Sequence, residues 1–343
     1  MATSTRRPHF SCDGCKNDKP SREHPENSSS PLPAGEVLVK VEACGVCFSD
    51  THAQANGVGG KFPGVPGHEI IGRVVAVGDG VSRWKVGDRI GGGWHGGEDG
   101  TCLQCRKGAF QTCSNEQING ITKSGGYAEY CSLRAEAGVP IPEDVNAAEY
   151  APILCAGVTV FNSMRQMNVR PGSLVAVQGL GGLGHLAIQY ANKFGFRVVA
   201  ISRGADKEKP VRELGAHHFI DSSSQDPVAE LQKMGGATMI VSTAPHAAAI
   251  APLLNGLDVF GKLLIVALPS DEVPINMWPM TTRGLSVHGW PSGHALDSEQ
   301  AIAFTRLQGI KCQVQTFPLD KANEAWDAMV NGTVRFRAVI TMD

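Results

Sequence analysis

The glycine-rich segment over residues 179–184 constrains the fold of this chain more than any other feature. It reads Gly-Leu-Gly-Gly-Leu-Gly and lies between an apolar run over 173–177 and a helix-like stretch over 183–194. Glycines there allow a tight turn and close packing of a helix against a strand. Further apolar runs, separated by helix-like stretches at 227–234 and 248–254, occupy 197–202, 239–242 and 263–268. This alternation predicts an α/β architecture with a doubly wound parallel sheet.

The same glycine-rich segment predicts a ligand as well as a turn. Without side chains, the backbone can approach a pyrophosphate closely, and the N-terminus of the following helix faces the anion. The strand–turn–helix context makes the pattern more specific than a glycine-rich turn alone. We therefore predict a dinucleotide-binding site whose glycines are Gly179, Gly181, Gly182 and Gly184.

The end of the next predicted strand bears on the choice of dinucleotide. An acidic residue there would accept hydrogen bonds from the adenosine ribose and favour NAD. The chain has Ser202 at this place, with Arg203 beside it and Lys207 nearby. A hydroxyl and two cations suit a 2′-phosphate better than a carboxylate does, so the sequence favours NADP over NAD. The alternative is that Arg203 is a solvated surface charge and that either cofactor binds.

The part of the chain before residue 150 has a different pattern. Val alternates with Leu or Lys over 37–41, and 70–81 form another β-like stretch interrupted by glycines. Many short strands with glycine turns predict a small barrel-like β domain. Residues 1–34 are polar and lack apolar periodicity, so we predict that they are disordered or atypical. The Cys12–Cys15 pair within them has no second pair, which favours free surface thiols.

Composition and charge exclude several classes of protein. A length of 343 residues suggests about two domains, and a formal net charge of −2 shows no basic excess for binding nucleic acid. No apolar run reaches the roughly 18 residues of a membrane span, and the first twenty residues lack the apolar core of a secretory signal. We therefore expect a cytoplasmic protein without nucleic-acid or membrane partners. Several of the ten cysteines are clustered, which favours metal ligation over a disulfide framework.

Three short motifs place cysteine and histidine in a pattern typical of metal sites. The first, over 44–52, holds two thiols, a hydroxyl, a carboxylate and an imidazole. The second is Gly-His-Glu at 67–69, followed by spaced glycines, and the third is Leu-Cys-Ala-Gly at 154–157. Together with the glycine-rich segment, the motifs resemble the zinc-containing alcohol dehydrogenases of the medium-chain dehydrogenase/reductase superfamily. The resemblance covers the chain from Gly35 to its C-terminus.

The resemblance implies a catalytic zinc held by Cys47, His68 and Cys155. Such sites leave the fourth position to water or a substrate oxygen. Zinc lowers the pKa of a bound alcohol, so that an alkoxide exists near neutral pH. By the same resemblance, Glu69 is a neighbour that approaches the metal, and Asp50 is the carboxylate that orients His68.

The resemblance also assigns roles around the zinc and the cofactor. Ser49 and His52 would form a proton relay to solvent through the cofactor ribose, the alternative for His52 being an ordinary surface imidazole. Thr159 would contact the nicotinamide, and Arg337 would reach the pyrophosphate. Trp94 would line the substrate pocket, the alternative being a packing tryptophan.

A second cluster resembles the structural zinc site of the same family. Where the family has four cysteines, this chain has Asp99, Cys102, Cys105 and Cys113. A carboxylate oxygen can bind zinc, so we predict a zinc site of one aspartate and three cysteines. The alternatives are a remnant without metal, or a fourth ligand supplied by His95 or Glu98.

The resemblance implies a GroES-like β-rich catalytic domain and a Rossmann domain. We expect residues 1–151 and 289–343 to form the first and 152–288 to form the second. The expected activity is reversible hydride transfer between a primary or small secondary alcohol and NAD(P), which yields an aldehyde or ketone. The alternatives are a polyol or sugar dehydrogenase of the same superfamily and, in another class, a catalytically idle binding protein. A homo-oligomer, dimer or tetramer, is also implied.

Overall fold

A computed structural model describes residues 32–54 and 64–342. The chain divides into two compact units. Of the described residues, those within Met1–Cys155, His294–Ile302 and Gln313–Asp343 form the β-rich unit, and Ala156–Gly293 and Ala303–Cys312 form the parallel-sheet unit. These divisions fall a few residues after the expected ones at 151 and 289, and 303–312 join the parallel-sheet unit. Nearly all of the predicted disordered segment, with Cys12 and Cys15, lies outside the described residues.

Fifteen strands run through the described residues. They are β1 Glu36–Val46, β2 Ile70–Val77, β3 Arg89–Gly92, β4 His95–Gly97, β5 Gln117–Ile118, β6 Tyr130–Arg134, β7 Val139–Pro140, β8 Leu174–Gln178, β9 Arg197–Ser202, β10 His218–Asp221, β11 Ala237–Ser242, β12 Leu257–Ile265, β13 Ser286–Gly289, β14 Val314–Pro318 and β15 Arg337–Thr341. Strands β8 to β13 belong to the parallel-sheet unit and the others to the β-rich unit.

The α-helices range from single turns of four residues to the fourteen-residue α10, whose residues are shared between the two units. They are α1 Thr51–Gln54, α2 Leu103–Arg106, α3 Ala147–Tyr150, α4 Ala156–Gln166, α5 Gly184–Lys193, α6 Glu208–Glu213, α7 Pro227–Lys233, α8 Ala247–Ile250, α9 Met277–Arg283, α10 Ala295–Gln308 and α11 Ala322–Val330. Within the described residues, none of these helices has the length and apolar character needed to cross a membrane.

A mixed sheet forms the frame of the β-rich unit. Its order is β14-β15-β1-β2-β3-β7, and β6 also pairs with β1. Strand β1 is antiparallel to β2, β6 and β15, whereas β14 and β15 are parallel. The alternating valines of β1, Val37, Val39 and Val41, are buried in one core with Ile70 and Leu133. The period of two seen in the sequence therefore corresponds to the buried face of this strand.

The sheet of the parallel-sheet unit has the order β10-β9-β8-β11-β12-β13. Every neighbouring pair is parallel, and apolar side chains such as Val175, Val199, Ile240 and Leu263 are fully buried along it. The strand order reverses between β8 and β11, and ligands of such sheets bind beyond the carboxyl ends of the strands at this reversal. The predicted doubly wound α/β architecture is confirmed.

One predicted helix differs from the structure. The stretch over 248–254 is not a continuous α-helix but the short α8 followed by the 3-10 turn Ala251–Gly256. Pro252 lacks an amide hydrogen, and its ring opposes continuation of an α-helix. The helix after the glycine-rich segment, α5, lies within its predicted range.

Candidate active site and metal centres

Side chains of metal-ligand type converge within the β-rich unit. Cys47 follows β1, His68 and Glu69 precede β2, and Cys155 follows the 3-10 turn Ala151–Leu154. One ligand atom from each of these four side chains lies within 4.8 Å of the others. The structure thus brings together the three residues predicted to bind zinc, whose ligation of the metal stays a prediction.

The spacing of these ligand atoms fits a tetrahedral zinc site. The sulfurs of Cys47 and Cys155 are 3.9 Å apart, and His68 Nε2 is 3.3 Å from the Cys155 sulfur. Zinc–sulfur and zinc–nitrogen bonds of normal length at tetrahedral angles separate such atoms by about 3.5–3.8 Å. The hydrogen bond with Cys155 lowers the pKa of the Cys47 thiol well below its usual value, although burial opposes the shift. The thiolate is the form that binds zinc.

Asp50 orients the imidazole of His68. His68 Nδ1 donates to Asp50 Oδ1 at 2.7 Å, and both side chains are fully buried. Burial alone would lower the pKa of His68, but the Asp50 carboxylate outweighs it and raises that pKa well above its usual value. Because a carboxylate can only accept, Nδ1 carries a proton, and Nε2 is left to face the cysteine sulfurs.

Glu69 and Arg337 form a buried ion pair beside the cluster. The Arg337 guanidinium donates to Glu69 Oε1 and to the carbonyl of Val46, the latter at 3.1 Å. Burial raises the pKa of Glu69 to about 7, although Arg337 opposes the shift. Glu69 Oε2 is buried and has no hydrogen-bond partner within the described residues, and it lies so close to Gly45 that a Cβ there would be 1.8 Å from it. The role at the pyrophosphate suggested for Arg337 stays a prediction.

The other residues predicted near the zinc lie close to the cluster. Ser49 and His52 are half-buried on the helical turn that follows Cys47. The indole of Trp94 packs edge-on against the His68 ring, with the ring centroids 5.0 Å apart. Trp94 therefore contacts a predicted zinc ligand, and its role in a substrate pocket stays a prediction.

The second predicted metal site is also assembled in the structure. One ligand atom from each of its four predicted residues, Asp99, Cys102, Cys105 and Cys113, lies within 4.8 Å of the others. The Cys102 sulfur is 3.6 Å from that of Cys105 and 3.9 Å from that of Cys113, which fits tetrahedral zinc. Backbone amides of Cys105 and Ser114 donate to the Cys102 sulfur and lower its pKa to about 7.

Asp99 is held as a carboxylate by its surroundings. Its Oδ1 accepts from the amides of Cys102 and Thr101 at 2.9 and 2.8 Å, and its Oδ2 accepts from the Asn115 side chain at 2.5 Å. These bonds lower the pKa of Asp99 well below its usual value. The ionised form, which a metal requires, is thus the stable one.

His95 and Glu98 do not join the cysteine cluster. His95 Nε2 lies 2.8 Å from Glu98 Oε2, and Nδ1 lies 3.2 Å from Glu116 Oε1, so both ring nitrogens are engaged by carboxylates. Burial lowers the pKa of His95, but the two carboxylates outweigh it and raise the pKa to about 9. Asp99 is the fourth side chain that the structure groups with the three cysteines.

The glycine-rich segment lies between β8 and α5, as the sequence predicted. Gly179 has φ +100°, which favours glycine, and its amide donates to the Ile201 carbonyl at 2.9 Å. A Cβ at Gly184 would overlap the Gly179 carbonyl, so α5 can begin this close to the turn only without a side chain there. A Cβ at Gly181 would meet nothing within 4 Å, so the backbone is accessible to a ligand at this point.

The residues predicted to select the dinucleotide lie at the end of β9. Ser202 is half-buried, and Arg203 is exposed and forms no ion pair within the part of the chain that the structure describes. Lys207 instead pairs with Asp206. Asp221, at the end of the neighbouring β10, is a residue that sequence reasoning missed: its Oδ1 accepts from the Gly204 amide at 2.8 Å. Its position at the end of a predicted strand was the available signal.

Thr159 also has a partner that the sequence did not reveal. Its hydroxyl is 3.0 Å from the Ser292 hydroxyl, and the Asn162 side chain donates to the Ser292 carbonyl at 2.9 Å. These contacts join α4 to the segment after β13 within the parallel-sheet unit. The contact predicted between Thr159 and a nicotinamide stays a prediction.

Comparisons with known proteins match both units. A family model described as "Alcohol dehydrogenase GroES-like domain" matches residues 33–143, and one described as "Zinc-binding dehydrogenase" matches 182–306. Alcohol dehydrogenase patD of Penicillium expansum is 64% identical over 307 residues, which cover 90% of each chain.

Solved structures show the same likeness. The cinnamyl alcohol dehydrogenase SbCAD4 from Sorghum bicolor is 31% identical, with a TM-score of 0.81 and coverage of 91% of this chain and 92% of that one. A structure of CAD from Helicobacter pylori, complexed with NADP(H), is 25% identical, with a TM-score of 0.79 and coverage of 90% and 91%. From the two family models, the extent of these matches and the fold, we conclude that this chain belongs to the zinc-type alcohol dehydrogenases of the medium-chain dehydrogenase/reductase superfamily, with a GroES-like and a Rossmann domain.

Proposed function

We propose that this chain is a zinc-dependent dehydrogenase that interconverts a primary or small secondary alcohol with its aldehyde or ketone, using NADP(H). The observation that carries this proposal is the convergence of Cys47, His68 and Cys155 at distances that fit tetrahedral zinc. Asp50 supports it, because its carboxylate holds the imidazole with Nε2 towards the sulfurs.

The side chains around the cluster prepare it for a divalent cation. Zinc bound there would lower the pKa of an alcohol or polarise a carbonyl. With zinc bound, Cys47 and Cys155 would supply two thiolate sulfurs whose charges balance a divalent ion, and His68 would supply Nε2 in its deprotonated form. Arg337 balances the charge of the neighbouring Glu69, which would otherwise be an uncompensated carboxylate in a buried site.

We propose that Ser49 and His52 carry the proton of the alcohol to solvent. A hydroxyl can accept one proton while it donates another, so Ser49 can pass a proton without becoming charged. Imidazole exchanges protons readily near neutral pH, and His52 is accessible enough to meet solvent. Ser49 lies on the 3-10 turn Phe48–Asp50 and His52 on α1, which follows it directly, so both are close to Cys47 along the chain.

The proposed preference for NADP rests on the end of β9. The NADP(H)-bound Helicobacter pylori relative supports a nicotinamide cofactor in general. In this chain Ser202 offers a hydroxyl, and the exposed Arg203 is not committed to any carboxylate of the described residues. A free guanidinium can bind a 2′-phosphate through two parallel hydrogen bonds.

Metal analysis and steady-state kinetics test the proposal. Purified protein should contain two zinc ions per chain and reduce small aldehydes or ketones with NADPH. His68→Ala and Cys155→Ser proteins should lose one zinc and on the order of 10³-fold of kcat/KM, because the metal supplies several kcal/mol of stabilisation. Cys312→Ser, which changes a buried cysteine outside both clusters, should keep both metals and the activity.

Two outcomes would contradict different parts of the proposal. Full activity of the His68→Ala protein on every substrate tested would rule out the zinc mechanism. One zinc per chain in the parent protein, lost on Cys155→Ser, would leave the mechanism standing and rule out metal at the Asp99 cluster.

We also propose that the protein forms a homo-oligomer through the edge of the parallel sheet. Strand β13 is the last strand of this sheet, and large apolar side chains near it are exposed. Trp278 is 76% exposed, and Phe260, 74% exposed, packs beside Gly284 at the end of α9. Large apolar side chains exposed on α9 and β12, the elements on either side of Gly284 and Phe260, favour a protein interface here.

A further inference from the structure

Tyr127 lies next to the zinc cluster, and sequence reasoning did not single it out. Its hydroxyl donates to Asp50 Oδ2 at 2.8 Å. The other oxygen of the same carboxylate accepts from His68 Nδ1 at 2.7 Å. A continuous chain of hydrogen bonds therefore runs from the phenol through Asp50 to the imidazole that faces Cys155.

Asp50 is surrounded by donors of different kinds. Besides the phenol and the imidazole, the backbone amide of Cys47 donates to Asp50 Oδ2 at 3.0 Å. The carboxylate is fully buried, so each lost donor leaves charge that water does not replace. Two donors on Oδ2 also fix the plane of the carboxylate, and so the direction from which Oδ1 meets the imidazole.

The backbone holds Tyr127 firmly against the segment that carries His68. The amides of Gly125, Gly126 and Tyr127 donate to the carbonyls of Val65, Gly67 and Pro66 at 2.7, 3.0 and 3.0 Å. A Cβ at Gly67 would lie 2.5 Å from Cδ1 of the Tyr127 ring, so the ring sits directly on this glycine. Backbone hydrogen bonds therefore link the segment that carries Tyr127 to the segment that precedes His68.

The phenol is a donor throughout the physiological pH range. Burial raises the pKa of Tyr127 well above its usual value, and the Asp50 carboxylate raises it further. A neutral hydroxyl whose partner is a carboxylate can only donate to it.

We propose that Tyr127 is a positioning residue that fixes Asp50, and through Asp50 the His68 imidazole, in the orientation that binds zinc. This inference rests on the proposed function, because it assumes that His68 is a zinc ligand. Outer partners of histidine ligands commonly set metal affinity through this kind of orientation.

Zinc release from the full-length protein tests the inference. A chromophoric chelator reports the rate at which each zinc leaves, and Cys155→Ser, which lacks the first site, assigns the two phases. Tyr127→Phe should speed release from the Cys47 cluster by about 3- to 10-fold. The effect is smaller than the roughly 10–100-fold seen for direct partners, because Tyr127 acts through Asp50.

Two controls separate this effect from general destabilisation. Release from the Asp99 cluster should stay unchanged in Tyr127→Phe, because unfolding would free both metals. Tyr190→Phe removes another buried phenol, one bonded to Thr305 in the parallel-sheet unit, and should leave release from the Cys47 cluster within about twofold.

A double variant tests whether Tyr127 acts through Asp50. In an Asp50→Asn background, Tyr127→Phe should change the rate of zinc release from the Cys47 cluster by less than about twofold. The reason is that Tyr127 acts on His68 through the Asp50 carboxylate, which this background already lacks. Unchanged release in the single variant, or an equal increase in both backgrounds, would overturn the inference alone. A parent protein without zinc at the Cys47 cluster would overturn the proposed function and this inference together.

Discussion

At the scale of single residues, the buried ionisable groups of this protein are balanced by partners on other segments. His68 pairs with Asp50, and Glu69 pairs with Arg337. Moving a charge out of water costs several kcal/mol, and an opposite charge at hydrogen-bond distance offsets that cost. His95 contacts the carboxylates of Glu98 and Glu116, and the effect of these contacts should be measurable as a pH dependence of the free energy of unfolding.

We expect the free energy of unfolding to fall as the pH rises from about 6.5 to about 9. The carboxylates of Glu116 and Glu98 hold the pKa of His95 near 9 in the folded protein despite burial, whereas an unfolded histidine has a pKa of about 6.5. The stabilisation is complete below the unfolded value and is lost as the pH passes the folded one. It amounts to at most about 3 kcal/mol, and urea unfolding across this range measures it.

A variant identifies the group responsible for that decline. His95→Gln removes this titrating group and should make the decline between these pH values shallower. His288→Gln, which alters a histidine whose pKa is lowered by burial, should keep the decline. The same slope in His95→Gln as in the parent would assign the effect to other groups.

At the scale of elements, the carboxyl ends of neighbouring strands shape the predicted cofactor site. The turn after β8 is compact because glycines occupy both of its ends, and the turn after β9 is held by the bond from the Gly204 amide to Asp221. Arg203 projects from this second turn without an ion pair in the residues described. The proposed preference for NADP depends on this charge.

Arg203→Ala should raise the KM for NADPH about tenfold and leave the KM for NADH within about twofold. Hydrogen bonds to a charged group contribute roughly 1.5–3 kcal/mol, and only NADPH carries the 2′-phosphate. Steady-state kinetics with both cofactors measures the difference. Lys233→Ala, on a lysine paired with Glu230 on α7, should change neither KM. An equal increase in the KM for NADPH and the KM for NADH would show that Arg203 does not bind the 2′-phosphate.

At the scale of the whole molecule, the parallel sheet ends in β13, which pairs only with β12 among the described residues. Unpaired edge strands with apolar neighbours invite association with another chain unless charges protect them. Val259, Phe260, Met277 and Trp278 are all more than half exposed. Association of copies through this edge would remove these side chains from water.

Trp278→Glu should therefore shift the protein towards smaller species. A carboxylate in the centre of an apolar interface loses hydration without gaining a partner, which opposes association. Sedimentation velocity at several concentrations measures the distribution of species. Leu307→Glu, at an exposed leucine on α10, is the matched control and should leave the distribution unchanged. Identical sedimentation of the parent and Trp278→Glu would place the interface elsewhere.

Local patterns predicted the parallel sheet, whereas the candidate ligands came from the resemblance to a family, and their ligation of a metal stays a prediction. The glycine-rich turn was recognisable because its constraints act within six residues, from Gly179 to Gly184. The helix over 248–254 was the weak point, since its apolar residues suggest a helix while Pro252 interrupts it. The partners of Thr159 and Tyr127 could not be predicted, because neither lies near them in sequence.

The sequence by itself determined the fold class, because turn sterics and strand periodicity are properties of short segments, and its resemblance to a family named the side chains expected to bind metal. Only the tertiary structure decided how those side chains are held. Tyr127 meets Asp50 across 77 residues and Arg337 meets Glu69 across 268, distances along the chain at which spacing carries no signal. Such pairs form because a buried polar group needs a hydrogen-bond partner, and the tertiary fold determines which groups lie within reach of it.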